Sequence, residues 1–209
     1  MRKNILESIH WHGHASFRVE GARVIYFDPF RISDGLPAAD VIFVSHSHHD
    51  HFSPDDIKKI STEKTTLVIT HDIDITFPGE VIKVKPGAVT AIRGLTAETL
   101  PAYNIERPYH PQKNNWVGYV ITMDNTKIYH TGDSDFIEEM RGLVIDVILI
   151  PVVGTYTMDA AQAAQAIKEM EVTIAIPMHW GTLMGDISDA RRFKDLVGDA
   201  ADVRILQKE

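Results

Sequence analysis

The chain contains no cysteine. That excludes disulfides, a thiolate nucleophile, cysteine-ligated zinc and cysteine-held iron–sulfur clusters, so any metal has to be held by His, Asp or Glu. Long apolar runs are missing as well. No stretch approaches the roughly 20 residues that a membrane span needs, and residues 1–13 (MRKNILESIHWHG) carry no continuous apolar segment of the signal-peptide kind. The expectation is a cytoplasmic protein with no membrane partner. Positive charge is in short supply: 21 Lys and Arg face 29 Asp and Glu, a formal net charge of −8. Broad nucleic-acid binding needs a basic footprint and is disfavoured. No GxSxG motif offers a serine nucleophile.

What remains is an ordinary globular composition, 209 residues with 44% hydrophobic and 24% charged. This suits one α/β domain over residues 1–209 with a single sizeable core. Residues 5–10, 14–19 and 22–27 (ARVIYF) read as strands with a Gly turn between them, followed by a strand at 41–45, a helix near 54–61 and a strand at 66–70. The stretch 72–100 alternates in short pieces and predicts a run of antiparallel strands. Residues 116–123 and 127–130 form a hairpin around an Asp-Asn turn. The last third predicts a short helix at 135–142, strands at 145–150, 172–176 and 202–206, and helices at 158–170 and 187–197. Two mixed sheets facing each other, with helices outside, would satisfy this layering.

The densest chemistry is residues 45–53, SHSHHDHFS: four histidines and an aspartate in nine residues, between a buried strand and a helix start. Imidazole and carboxylate are ligands for zinc, manganese or iron. His46 and His48 face the same way on a short loop and can pinch one ion, while Asp50 and His51, a step further round, can grip a second. One loop seldom fills two shells, so distant residues must contribute. The candidates stand at strand ends: His110 in a Pro-rich loop, Asp133 in HTGDSD and His179 in PMHWG. His14 and His130 are open between a place beside the site and a packing role. His49 reads as a bystander, His10, His12 and His71 as ordinary histidines, and Asp28 as a support for the histidine loop. Arg31, Arg107 and Lys113 stand in loops that could meet an anionic group, and Tyr103, Tyr156, Trp116 and Trp180 could shape a pocket.

SHSHHDH resembles the HxHxDH signature of the metallo-β-lactamase fold superfamily, and His110, the Asp of HTGDSD and the His of PMHWGT follow in the same order. HGHASF and IPVVGTYTM look like the ascorbate-phosphate-lactonase-like branch, a group of metal-dependent hydrolases. The resemblance covers nearly the whole chain. It implies an αββα sandwich forming one metallo-hydrolase domain. It also implies His46, His48 and His110 on one metal, Asp50, His51 and His179 on the other, and Asp133 bridging them. The cofactors it implies are two divalent ions, Zn2+ or Mn2+ ahead of Fe2+.

On this reading a hydroxide bound between the two metals attacks a small ester, lactone or phosphoester, with Asp50 as the catalytic residue that orients it and carries its proton. The expected partner is a small-molecule substrate, with room for an anionic one, and a homo-oligomer is compatible. The alternatives are a nuclease or phosphodiesterase acting on nucleic acid, an iron-dependent oxidoreductase on the same fold, and a closed, non-catalytic metal site.

Overall fold

The computed structural model describes residues 5–209. The first sheet has six strands in sequence order: β1 (Ile9–Gly13), β2 (Ser16–Glu20), β3 (Val24–Phe27), β4 (Val41–Phe43), β5 (Thr66–Thr70) and β6 (Glu80–Val84). β1, β2 and β3 pair antiparallel; β3 to β6 run parallel. The second sheet has seven strands: β7 (Val89–Ile92), β8 (Leu95–Pro101), β9 (Val117–Met123), β10 (Thr126–His130), β11 (Val144–Pro151), β12 (Glu171–Met178) and β13 (Asp202–Val203). There β7 to β10 are antiparallel and β10 to β13 parallel.

The side-chain alternation of the strands builds the layers. On β4, Val41 and Phe43 face inward to the core between the sheets, while Ile42 and Val44 face outward. The outward set, with Tyr26, Leu67 and Ile69, is covered by Ile57 and Ile60 of α1 (Pro54–Ile60). Ser53 caps α1 and acidic residues fill its first turn. On the other side α2 (Ala160–Lys168) and α3 (Ile187–Val197) pack on β11 and β12. Asp159 and Gln162 form a capping box, and Ala160, Ala163, Ala164 and Ile167 make the buried stripe. The result is helix, sheet, sheet, helix.

Four elements differ from the sequence expectation. Residues 5–8 are a 3-10 turn and the strand starts at Ile9; Leu6 and Ile9, three apart, both meet the core, which is the 3-10 spacing. Residues 135–142 keep only the turn Glu138–Met140, with Ile137 and Met140 buried three apart. β6 belongs to the first sheet and runs parallel to β5, because alternation reports a half-buried strand and not its direction. The closing strand stops at Val203 because Ile205 and Leu206 turn to the core edge and Lys208 pairs with Trp11, carrying the tail across to β1.

The loops after β3, β4, β5, β10 and β12 leave at one edge of the sandwich, together with the β1–β2 turn. Gly118 lets β9 pass under the 130–132 loop: a Cβ there would sit 2.8 Å from the Thr131 carbonyl oxygen.

Candidate metal centre

All seven sequence-selected residues meet at this edge. Donor atoms of His46, His48 and His110 lie within 4.8 Å of one another, as do those of Asp50, His51 and His179, a group that also includes His14. Asp133 stands in the middle. Its Oδ1 is 3.3 Å from His51 Nε2, and its Oδ2 is 3.1 Å from His179 Nε2 and 3.4 Å from His110 Nε2. His46, His51, His110, Asp133, His179 and His14 are buried, while His48 and Asp50 are half-buried and form the solvent side.

The orientation of the rings is set from behind. Asp28, at the end of β3, accepts from Ser45 N (2.7 Å), Ser45 Oγ (2.6 Å) and His51 Nδ1 (2.7 Å). Since the Ser45 hydroxyl proton goes to Asp28, Ser45 Oγ accepts from His46 Nδ1 at 2.9 Å. On the other side Asn104 Oδ1 accepts from His110 Nδ1 at 3.1 Å and from its backbone N–H at 3.2 Å. Three imidazoles thus turn Nδ1 to acceptors behind them; Nε2 of His51 and of His110 faces Asp133 with no hydrogen-bond partner, while His46 Nε2 lies 3.1 Å from His48 Nδ1. This is how a protein fixes the tautomer of a metal-ligating histidine. Asp72 anchors the outer end of the loop, accepting from Ser47 Oγ at 2.7 Å and Trp116 Nε1 at 2.8 Å. Trp116 in turn packs its ring 4.9 Å from that of His46 and 4.7 Å from that of His48.

In the metal-free chain the surroundings act on the imidazoles in opposite directions: they disfavour the proton on His46, His48 and His14 and favour it on His51, where an arriving cation would displace it. Burial first, then the neighbouring imidazoles, push His46 well below the usual histidine value, and burial lowers His48. Burial lowers His14 to about 4 despite its hydrogen bond to Asp50. Burial alone would lower His51, but the Asp133 and Asp28 charges on either side hold it well above its ordinary value. Burial would raise Asp133 and Asp50; His179 and His51 reverse that for Asp133, and the His14 hydrogen bond and His51 for Asp50, so both carboxyls stay well below the usual range.

Whether the site suits a metal ion can be tested on its unspent atoms. His51 Nε2, His110 Nε2, Asp133 Oδ1, His14 Nδ1 and both ring nitrogens of His179 are buried with no hydrogen-bond partner. His179 Nε2 is close to Asp133 without hydrogen-bonding geometry. Buried polar atoms without partners cost about 1–3 kcal/mol each. Carried by five residues of the converging groups, all of them nitrogen or carboxylate oxygen, they fit divalent cations of the zinc, manganese and iron type.

The other candidates sort by contact. His130 is a brace: its Nε2–H donates to Ala15 O at 2.8 Å and its Nδ1 accepts from Gly132 N at 3.2 Å, so neither nitrogen is free. The His49 side chain is 83% exposed, with Nδ1 3.7 Å from Asp50 Oδ1, and no group of converging donors among the described residues includes it. Arg107 is taken up by Asp135 at 3.1 Å, by the Thr157 carbonyl and by Gln162. Arg31 is exposed, with its guanidinium 5.0 Å over the Phe30 ring and no ion-pair partner among the described residues. Lys113 is exposed in a 3-10 turn. Tyr103 bonds Glu139, Tyr156 meets Tyr109 edge to face, and Trp180 packs on Trp11. Asn104 and Asp72 were not singled out by sequence reasoning. Each acts through a neighbour fixed by the fold, and no motif marks them.

Comparison with known proteins extends the picture. A family model described as "Beta-lactamase superfamily domain" matches residues 8–179. A curated protein of Thermococcus onnurineus, named UPF0173 metal-dependent hydrolase, is 31% identical over 215 residues, covering 93% of this chain and 94% of that protein. A crystal structure from Parabacteroides distasonis, provisionally named a metal-dependent hydrolase, is similar with a TM-score of 0.82 at 28% identity, over 96% of this chain and 93% of that one. The metallo hydrolase Igni18 of Ignicoccus hospitalis is similar with a TM-score of 0.79 over 96% of this chain and 94% of that one; at 24% identity it bears on the fold alone.

Proposed function

Because the chain belongs to the beta-lactamase superfamily and is a metal-dependent hydrolase of that fold, we propose that it cleaves a small ester, lactone or phosphoester by means of two divalent ions, Zn2+ or Mn2+. His46, His48 and His110 would hold one ion and Asp50, His51 and His179 the other, with Asp133 between them. The observation that carries this reading is convergence on one buried carboxylate: His51 and His110 each turn Nδ1 to an acceptor behind the ring and leave an unpartnered Nε2 beside Asp133, and His46, held from behind by Ser45, joins His51 and Asp133 in a third group of converging donors.

When bound, such ions supply Lewis acidity and make a water acidic enough to attack near neutral pH. The chain's own residues do the rest. Asp28 and Asn104 keep the imidazoles from rotating. Asp50 stays ionised on the solvent side, with Oδ2 tied to His14 at 3.0 Å, and its Oδ1 orients the attacking water. The water oxygen bonds to the acyl or phosphoryl centre, the bond to the leaving oxygen breaks, and the proton passes by way of Asp50 to that oxygen. Arg31, exposed and with no carboxylate partner among the described residues, is a cation available to an anionic substrate.

The test is a hydrolysis screen of apo protein supplied in turn with Mn2+, Zn2+ and Fe2+, across carboxylic esters, lactones and phosphoesters. Turnover of at least one class is expected, and Asp50→Ala should reduce it by about 10²–10⁴-fold with the circular dichroism spectrum unchanged. No turnover of any class with any of the three metals would sink the hydrolytic reading. An Asp50→Ala variant as active as the parent would remove Asp50 from it.

A further inference from the structure

We infer that His14 is a fourth protein donor to the ion held by Asp50, His51 and His179, so that the two metal positions are unequal. The inference rests on the metal-dependent reading above and adds a residue outside the HxHxDH set.

His14 lies at the turn between β1 and β2, far in sequence from the histidine loop. Its side chain is fully buried, with Nε2 3.0 Å from Asp50 Oδ2 and Nδ1 without a partner. A ring nitrogen lies within 4.8 Å of the donor atoms of Asp50, His51 and His179. Burial alone does not single it out. His12 is also buried with both nitrogens unpartnered, yet no group of converging donors includes it. His130 is the molecule's example of a packing histidine, and it has partners on both nitrogens. His14 combines burial with membership of a converging group, and its Nδ1 has no partner.

The backbone supports this. His14 has φ 52°, in the left-handed region, which is uncommon for any side chain although His, Asn and Asp enter it more readily than others. Residues kept in such conformations cluster where function requires a particular side chain. Here the conformation is pinned from two sides: Trp11 Nε1 donates to the His14 carbonyl at 3.0 Å, and His179 N donates to the same oxygen at 2.9 Å. His179 is itself left-handed, at φ 67°. The two strained histidines are joined through one carbonyl, their rings 3.8 Å apart, with Trp11 and Trp180 stacked behind them at 4.6 Å. Gly13 makes the turn at φ 98° and leaves no room for a Cβ, which would lie 2.9 Å from Thr182 Oγ1. Glycine would suit position 14 better on backbone grounds alone.

The consequence is a difference between the positions. Apart from the shared Asp133, the His46, His48 and His110 side offers three protein donors and the more room for water or substrate. The other side offers four, and a site with more protein donors fills first. Titration of the apo protein with Zn2+ against a chromophoric chelator should therefore resolve a tight and a weaker equivalent. In His14→Asn, which tolerates the left-handed backbone, the tight equivalent should weaken by more than about 100-fold, because removal of a merely orienting partner costs 10–100-fold. The weaker equivalent should hold, and His71→Asn, at an exposed position, should match the parent. Should His14→Asn fail to fold, nitrogen-15 histidine NMR of the parent chain answers the question: a His14 ring nitrogen should move on the first Zn2+ equivalent. A tight equivalent weakened by 100-fold or less in His14→Asn, or a His14 resonance unmoved through two equivalents, overturns the proposal. A parent chain that binds no divalent ion overturns the metal-dependent reading itself, so the two failures are distinguishable.

Discussion

Asp28 touches no substrate, yet the tautomers of two imidazoles depend on it: His51 directly, and His46 through the Ser45 hydroxyl. Asp28→Asn perturbs this with little change of volume. The backbone at φ 42° suits asparagine as well as aspartate. The side chain then has one acceptor where the parent has two. If the amide oxygen stays on Ser45 N–H, the amide nitrogen faces His51 Nδ1. That nitrogen must then accept, which moves the ring proton to Nε2, the atom beside Asp133. The opposite orientation sets two donors, the amide and Ser45 N–H, against each other. Either way a bare Nε2 is lost or a buried donor goes unpaired. The apo protein should lose about 1–3 kcal/mol, the difference between charge-assisted and neutral or broken hydrogen bonds. Metal affinity should fall by about 10–100-fold, the usual effect of losing a partner behind a ligating histidine, or about 1.4–2.8 kcal/mol. The assays are urea unfolding in chelator and Zn2+ competition titration. An Asp28→Asn protein within threefold of the parent in Zn2+ affinity would refute the claim that Asp28 sets the tautomers.

Removal of metal should itself destabilise the fold, since ions that bind only the native chain add about 4 kcal/mol at a thousandfold excess over Kd. Melting temperature with and without chelator measures this, and an unchanged value contradicts the fit of the buried unpaired donors to an ion. Asp56 ties α1 to the loop after β3 by accepting from Ser53 Oγ (2.7 Å), Lys59 Nζ (3.0 Å) and Arg31 N (2.8 Å). Burial would raise its carboxyl, but these donors hold it below the usual value. Its contribution is therefore present above the unfolded value, near 3.9, and lost as pH falls through the lower folded one. Asp56→Ala should cost about 1–2 kcal/mol at neutral pH and flatten the decline of urea stability below pH 4. A variant whose acid limb runs parallel to the parent's would show that Asp56 does not contribute to it.

How much of this was written in the sequence can be judged residue by residue. The histidine loop was legible because its spacing is local: His46, His48, Asp50 and His51 share one short connection, and their chemistry follows from residue type. α3 was legible over Ile187–Val197 because its apolar spacing and Asp186 cap are local too. Asp28 could be read as a support from its place after a buried strand. His14 could be noticed in HGHASF but not ranked, because its value comes from Asp50, which is 36 residues away in sequence and 3.0 Å away in space. β6 was placed with the wrong neighbours, since alternation carries no record of which strand lies alongside.

The sequence by itself determined the kind of chemistry, through the absence of cysteine and the clustering of imidazole and carboxylate, and it determined the alternation that buries each sheet. Only the tertiary structure decided which donors converge, which nitrogens are bare and which cations remain unspent. The β1–β2 turn, the loop after β4, the His110 loop and the ends of β10 and β12 become neighbours through strand order and sheet packing. Those are summed consequences of the whole core, and no local pattern records them.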